Sequence, residues 1–155
     1  MTVTATHVVS SVPATQLRAW RAFLEAHAQV IERLGTELRT AQNVPLTWYD
    51  VLVQLQEADG HRLRMQELAD AVLLSKSGLT RLVDRIERDG LVRRSACPSD
   101  GRGTFAELTP AGLDVLRKAA PTHLRGVNEH FARHLTDDEA VVLAQVFHRI
   151  AAAAE

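Results

Sequence analysis

Cysteine, aromatic residues and glycine are all scarce in this chain, and each scarcity removes a class of protein. A single cysteine, Cys97, excludes an internal disulfide and a cysteine-rich zinc cluster. No stretch approaches the roughly 20 apolar residues that cross a bilayer. The opening MTVTATHVVSSVP has neither the basic segment nor the apolar run of a secretory leader. A cytoplasmic protein with no membrane partner is expected, with residues 1–13 as a loose tail. There is no phosphate-cradling glycine loop, nucleophile elbow, Cys-His signature or carboxylate pair set apart from ordinary helix surface. The sequence therefore predicts no enzyme and implies no cofactor.

What remains is an ordinary globular composition: 155 residues, 46% apolar and 24% charged, enough for one domain with a real core. The net charge of −1 averages two unlike parts. Residues 61–102 hold nine Lys/Arg against six acids, and the remainder holds nine against thirteen. Net charge reports on partners, and this one places cationic character in a single segment.

That segment carries the most informative pattern. Residues 66–74 put Leu68, Ala69 and Val72 on one helical face, and Ser75 then opens a run in which Leu79, Leu82, Val83 and Ile86 recur at helical spacing. Ser75 is a natural N-cap, and Gly90 a natural stop where positive φ is needed. With the apolar stripe packed inward, Lys76, Ser77, Thr80, Arg81, Asp84, Arg85 and Arg88 form the opposite face, suited to phosphates and base edges. Residues 91–96 and 104–108 read as strands around the turn CPSDGRG. This is a wing whose Arg102 can enter a narrow minor groove. For Arg81 the alternative is an ion pair with Asp84 or Glu87.

Outside this reader the chain is helical. Leu17, Trp20, Leu24, His27, Ile31, Leu34 and Leu38 step by three and four, widened by Phe23 and Val30, a seam that one helix cannot bury alone. Pro110 suits the first turn of a helix, Pro121 is expected to kink or break it, and Thr136 to Glu139 form a capping box. Val142, Leu143, Val146, Phe147 and Ile150 follow on the last helix. Apolar helices at both ends predict a twofold dimer, which would set two recognition helices in successive major grooves.

The run ELADAVLLSKSGLTRLVDRIERDGLVRRSACPSDGRGTFAELTPAG resembles the MarR family of winged-helix transcriptional regulators, across about Leu46 to Phe147. The resemblance implies a mainly α fold with a small β-wing, built as one unit over residues 14–155. Residues 14–44 and 111–155 would be dimerisation helices, and 46–109 the winged helix-turn-helix, with its recognition helix at about 76–89 and its wing at 91–108. It further implies a homodimeric repressor bound to a palindromic DNA operator and released by a small aromatic or phenolic effector. Carried over by position, Lys76, Ser77, Thr80 and Arg81 face the major groove, Arg102 is the wing arginine, and Asp100 shapes the wing; Ser75 and Arg85 are expected among the DNA-binding residues with them. Members commonly show Asp-Arg-Arg where this chain has Asp100-Gly101-Arg102. Gln66 stands where a Ser or Thr cap is usual.

Four rings suggest where an effector would stack: Trp20 and Phe23 on the first helix, Trp48 and Tyr49 on the second, with His27 on the seam. Core packing is the alternative role for all of them. Glu129, His130 and His134 offer i, i+4 imidazoles on one helix face, a spacing that holds zinc, and His123 lies seven residues earlier. Cys97, expected to be exposed at the wing turn with Arg93 and Arg94 to lower its thiol pKa, suggests a redox switch. A metal- or thiol-responsive regulator of the same fold, or a winged helix used for protein contact, are the alternative functions.

Overall fold

A computed structural model describes residues 12–72, 74–98, 101 and 103–153. The first eleven residues of the expected tail, and Asp100 and Arg102 of the wing, lie outside the described residues. Helix α1 (Ala14–Gln42) starts after Pro13 and ends at Asn43, which takes φ of 55° and donates its N–H to the Arg39 carbonyl. Helix α2 (Leu46–Glu57), strand β1 (Arg62–Arg64), helix α3 (Met65–Ala71) and helix α4 (Lys76–Arg88) follow. Strands β2 (Val92–Ala96) and β3 (Thr104–Leu108) form the hairpin. Helices α5 (Pro110–His130) and α6 (Asp137–Ala152) complete the chain.

The core lies in the reader. Leu52 and Leu55 of α2, Leu68 of α3, Leu79, Val83 and Ile86 of α4 and Ala106 of β3 are fully buried together with Leu38 from the end of α1. The apolar positions expected at helical spacing on α4 are thus all inside. The sheet is antiparallel in the order β1-β3-β2, pairing Leu63 with Ala106 and Ala106 with Arg94. Strand β1 was not foreseen, since three residues are too short to show alternation.

Gly90 adopts φ of 75° and ends α4 as expected. Thr109 then stitches α5 to the reader: its hydroxyl donates to the Gly90 carbonyl at 2.7 Å and accepts from Gly112 N–H at 3.0 Å, while its own N–H donates to Leu91 O. Pro121 neither kinks α5 into two helices nor ends it. A proline removes one backbone donor, and burial of Leu116, Ala119, Thr122 and Gly126 on both sides of it holds the helix continuous.

Helix α6 has the expected cap, Thr136 Oγ1 accepting from Glu139 N–H and Thr136 N–H donating to Glu139 Oε2. Yet α6 buries no residue, and α1 buries none before Leu34. Trp20, Leu24, Ile31, Val142 and Ile150 are all exposed. Among the described residues no helix is long and apolar enough to cross a membrane.

Candidate nucleic-acid interface

Helix α4 is fixed at its start by Ser75, whose hydroxyl accepts from Gly78 N–H at 3.1 Å. Ser75 is therefore occupied as a cap, which also orients the free N–H groups of the first turn outward. With Leu79, Leu82, Val83 and Ile86 inward, the wheel of a 3.6-residue helix puts Ser77, Arg81, Asp84 and Arg88 at the centre of the outer face. Lys76 and Thr80 flank it on one side and Arg85 on the other. All seven are exposed. The Thr80 hydroxyl donates back to Lys76 O at 2.9 Å, so it faces solvent as an acceptor only. Arg85 Nε donates to Arg81 O.

The alternative for Arg81 does not form. Asp84 and Glu87 are both taken by Arg94 of β2, and no ion pair of Arg81 is present among the described residues. The Arg94 guanidinium donates to Asp84 Oδ1 at 2.7 Å, to Glu87 Oε2, and to the Thr80 carbonyl at 3.3 Å. Glu87 Oε1 also accepts the Arg94 N–H at 2.8 Å. Sequence reasoning gave Arg94 no such role. The signal was available in the alternation of β2: Arg94 shares its face with buried Val92, so an inward arginine opposite α4 required acidic partners.

The outer face of the sheet is also charged. Glu107 accepts from Ser95 Oγ at 2.6 Å and Arg93 Nε at 2.7 Å, with Arg62 at 3.8 Å. The Ser95 hydrogen bond first, and then Arg93, hold its carboxyl below the usual carboxylate range. A lowered folded pKa gives stability that is present at neutral pH and is lost as pH falls through it. Thermal melts of the wild type and Glu107→Gln should therefore differ at pH 7 and converge in acid; a constant gap across pH would contradict this. Arg62 and Arg64 lie over the Phe105 ring at 4.8 and 5.7 Å.

Gln66 is not the cap of α3. Arg64 occupies that place, its N–H donating to Glu67 Oε2 at 2.9 Å, and Gln66 bonds Asp70 instead.

The four rings do not converge within one chain. Trp20 neighbours Phe23, which meets His27 at 5.9 Å and Phe147 of α6 at 5.3 Å. Tyr49 is buried and stacks on His123 of α5 at 4.3 Å, and Trp48 packs against the reader core. Leu38 reaches that core, and Trp20 lies eighteen residues earlier, about 27 Å along the helix. Burial pushes the Tyr49 pKa up and that of His123 down.

The zinc arrangement also fails. Helix α5 ends at His130, Phe131 leaves helical geometry with φ −137° and ψ −65°, and a tight turn over 132–134 follows, so His130 and His134 do not share a helix face. His130 Nε2 meets Glu37 Oε1 of α1 at 2.5 Å, the Glu129 carboxylate pairs with Arg133, and the His134 ring bonds the Glu129 carbonyl. No group of three metal-ligating side chains gathers among the described residues. Cys97 is buried at 3% exposure rather than exposed, at the base of the wing where its N–H pairs with Gly103 O. Arg93 and Arg94 are engaged by carboxylates instead of the thiol.

A model of the MarR family matches residues 42–103. Sco3205 of Streptomyces coelicolor, a MarR family transcriptional regulator solved in complex with DNA, is 35% identical. The likeness covers 94% of each chain with a TM-score of 0.88. AbsC, a MarR family transcriptional regulator of the same organism, is 37% identical over 92% of this chain and 96% of its own, with a TM-score of 0.86. The transcriptional repressor YetL of Bacillus subtilis is 31% identical over 66% of this chain and 63% of its own. The chain spans about three fifths of the length of several curated relatives, YetL among them. With the reader matched by the family model and likeness to Sco3205 and AbsC across more than nine tenths of the sequence, this chain belongs to the MarR family of transcriptional regulators.

Proposed function

We propose that this protein is a homodimeric, sequence-specific DNA-binding repressor, with one α4 helix of each copy in successive major grooves of a palindromic operator. The observation that carries this reading is the outer face of α4, where Lys76, Ser77, Arg81 and Arg88 are exposed while the neighbouring acids Asp84 and Glu87 are held by Arg94. An exposed guanidinium on a capped helix that narrows to a two-strand wing fits base-edge or phosphate recognition. Arg102 would enter the adjacent minor groove, with Asp100 shaping the loop that carries it. Sco3205, solved with DNA, supports the reading by its overall likeness.

The second copy is supported by the exposed apolar faces of α1 and α6. A 16-residue helix with no buried residue gains little from its own chain, and most helical stability comes from burying an amphipathic face. A dimer seated on a promoter represses by excluding other proteins from it. The effector class implied by the family resemblance is a small aromatic or phenolic compound. Tyr49 and His123, stacked where α2 meets α5, are the ring pair that joins the reader to α5.

The test is a gel-shift titration at fixed salt. Arg81→Ala and Arg102→Ala should each weaken operator binding roughly tenfold or more, matching about 1–3 kcal/mol per specific contact, with the dimer intact by sedimentation. Unchanged affinity in both variants would overturn the assignment.

A further inference from the structure

The recognition helix carries a feature at odds with its task. Asp84 sits at the centre of the outer face beside Ser77, Arg81 and Arg88, and Glu87 lies on the flank towards β2. Two carboxylates on a surface meant for phosphates oppose association, since like charges brought together at an interface are strongly unfavourable. Both are met by one side chain from outside the helix. The Arg94 guanidinium is forked between Asp84 and Glu87, its backbone N–H is accepted by Glu87, and a third contact reaches the Thr80 carbonyl. Arg94 is three-quarters buried, with only 25% of its side chain exposed, while Asp84 and Glu87 remain 47% and 36% exposed. The guanidinium is thus more enclosed than the two acids it binds.

We propose that Arg94 is a positioning residue: it locks the wing strand to the recognition helix and neutralises the two carboxylates on the face offered to DNA. This rests on the DNA-binding reading above. Arg94 does not itself touch DNA. Its planar fork can hold two carboxylates at once, whereas the single ammonium of lysine cannot reproduce that geometry. The same clamp fixes the spacing between the major-groove helix and the minor-groove wing, because β2 continues into the wing loop. Among the described residues Arg81 has no ion pair, and its acidic neighbours are held by Arg94.

The experiment uses a duplex selected from random sequence by the wild-type protein. Binding is titrated by fluorescence anisotropy at fixed salt for wild type, Arg94→Met, Arg94→Lys and the triple variant Arg94→Met/Asp84→Asn/Glu87→Gln. Methionine keeps the apolar stem, and Asn and Gln keep the shape of the acids and an acceptor for the residue-94 N–H. We expect Arg94→Met to bind about tenfold or more weakly, Arg94→Lys to fall between it and wild type, and the triple variant to recover to within about threefold of wild type. A triple variant as weak as Arg94→Met would show that unpaired carboxylates are not what weakens binding and would overturn the proposal. Wild-type affinity in Arg94→Met would overturn it equally. As a readout without DNA, β2 amides should exchange faster in Arg94→Met than in wild type, and unchanged exchange would refute the lock. Should the wild type select no sequence at all, the DNA reading fails first, whatever the variants do.

Discussion

Gly112→Ala should lower stability by about 2–3 kcal/mol, the range for forcing a methyl into a closed site, and the melting midpoint by roughly 5–10 °C for a chain of this size. A Cβ added at Gly112 would lie 2.1 Å from the Leu91 carbonyl oxygen and 2.8 Å from Leu108 Cδ1. The first of these atoms is backbone, and it already accepts the Thr109 N–H, so it cannot swing aside as a side chain would. Moving α5 away instead would strain the Thr109 hydroxyl, which joins Gly90 O to Gly112 N–H. Gly101→Ala is the control, because an added methyl there meets nothing within 4 Å. Thermal unfolding followed by circular dichroism decides the matter, and equal midpoints for the two variants would refute the close approach.

Leu24→Glu combined with Ile150→Glu should dissociate the proposed dimer at micromolar concentration and reduce operator affinity a hundredfold or more. Leu24 is 45% and Ile150 62% exposed in the single chain, so a charged side chain at either position stays hydrated there. In the proposed assembly both lie against the second copy, where a lone carboxylate would be desolvated without a partner. Each half-site alone binds weakly, and joining two readers in one body supplies the effective concentration that makes binding tight. Sedimentation reads the first effect and anisotropy the second. A variant that remains dimeric would place the interface elsewhere.

The reader helix was legible because its signals were redundant. Ser75 and Gly90 marked the ends, and four apolar residues at helical spacing fixed the inward face, so cap, length and orientation agreed. Elsewhere the signal was local while the determinant was not. His130 and His134 are four apart in sequence, but only a helix would align them, and α5 stops at His130. Cys97 sits in a turn-forming run, yet it is buried at the base of the wing, where strand pairing continues through its N–H to Gly103 O. Pro121 is a helix breaker by propensity, and burial on either side of it prevailed. The four rings lie apart within one chain for a reason of length: Trp20 and Phe23 are in the first half of a 29-residue helix, and Trp48 and Tyr49 are on α2, which follows its far end. Arg94 was missed because its partners lie seven and ten positions away and only strand alternation pointed to them.

That rod has a mechanical corollary. Helix α1 is a single unbroken element of about 43 Å, with Leu38 anchored in the reader core and Leu17 to Leu24 in the opposite half. A tilt of only about five degrees at the far end displaces the anchored end by nearly 4 Å, close to the 3.4 Å rise between stacked bases. Two such levers, one per copy, would convert small changes in how the subunits cross into a gain or loss of one base pair in the gap they can bridge.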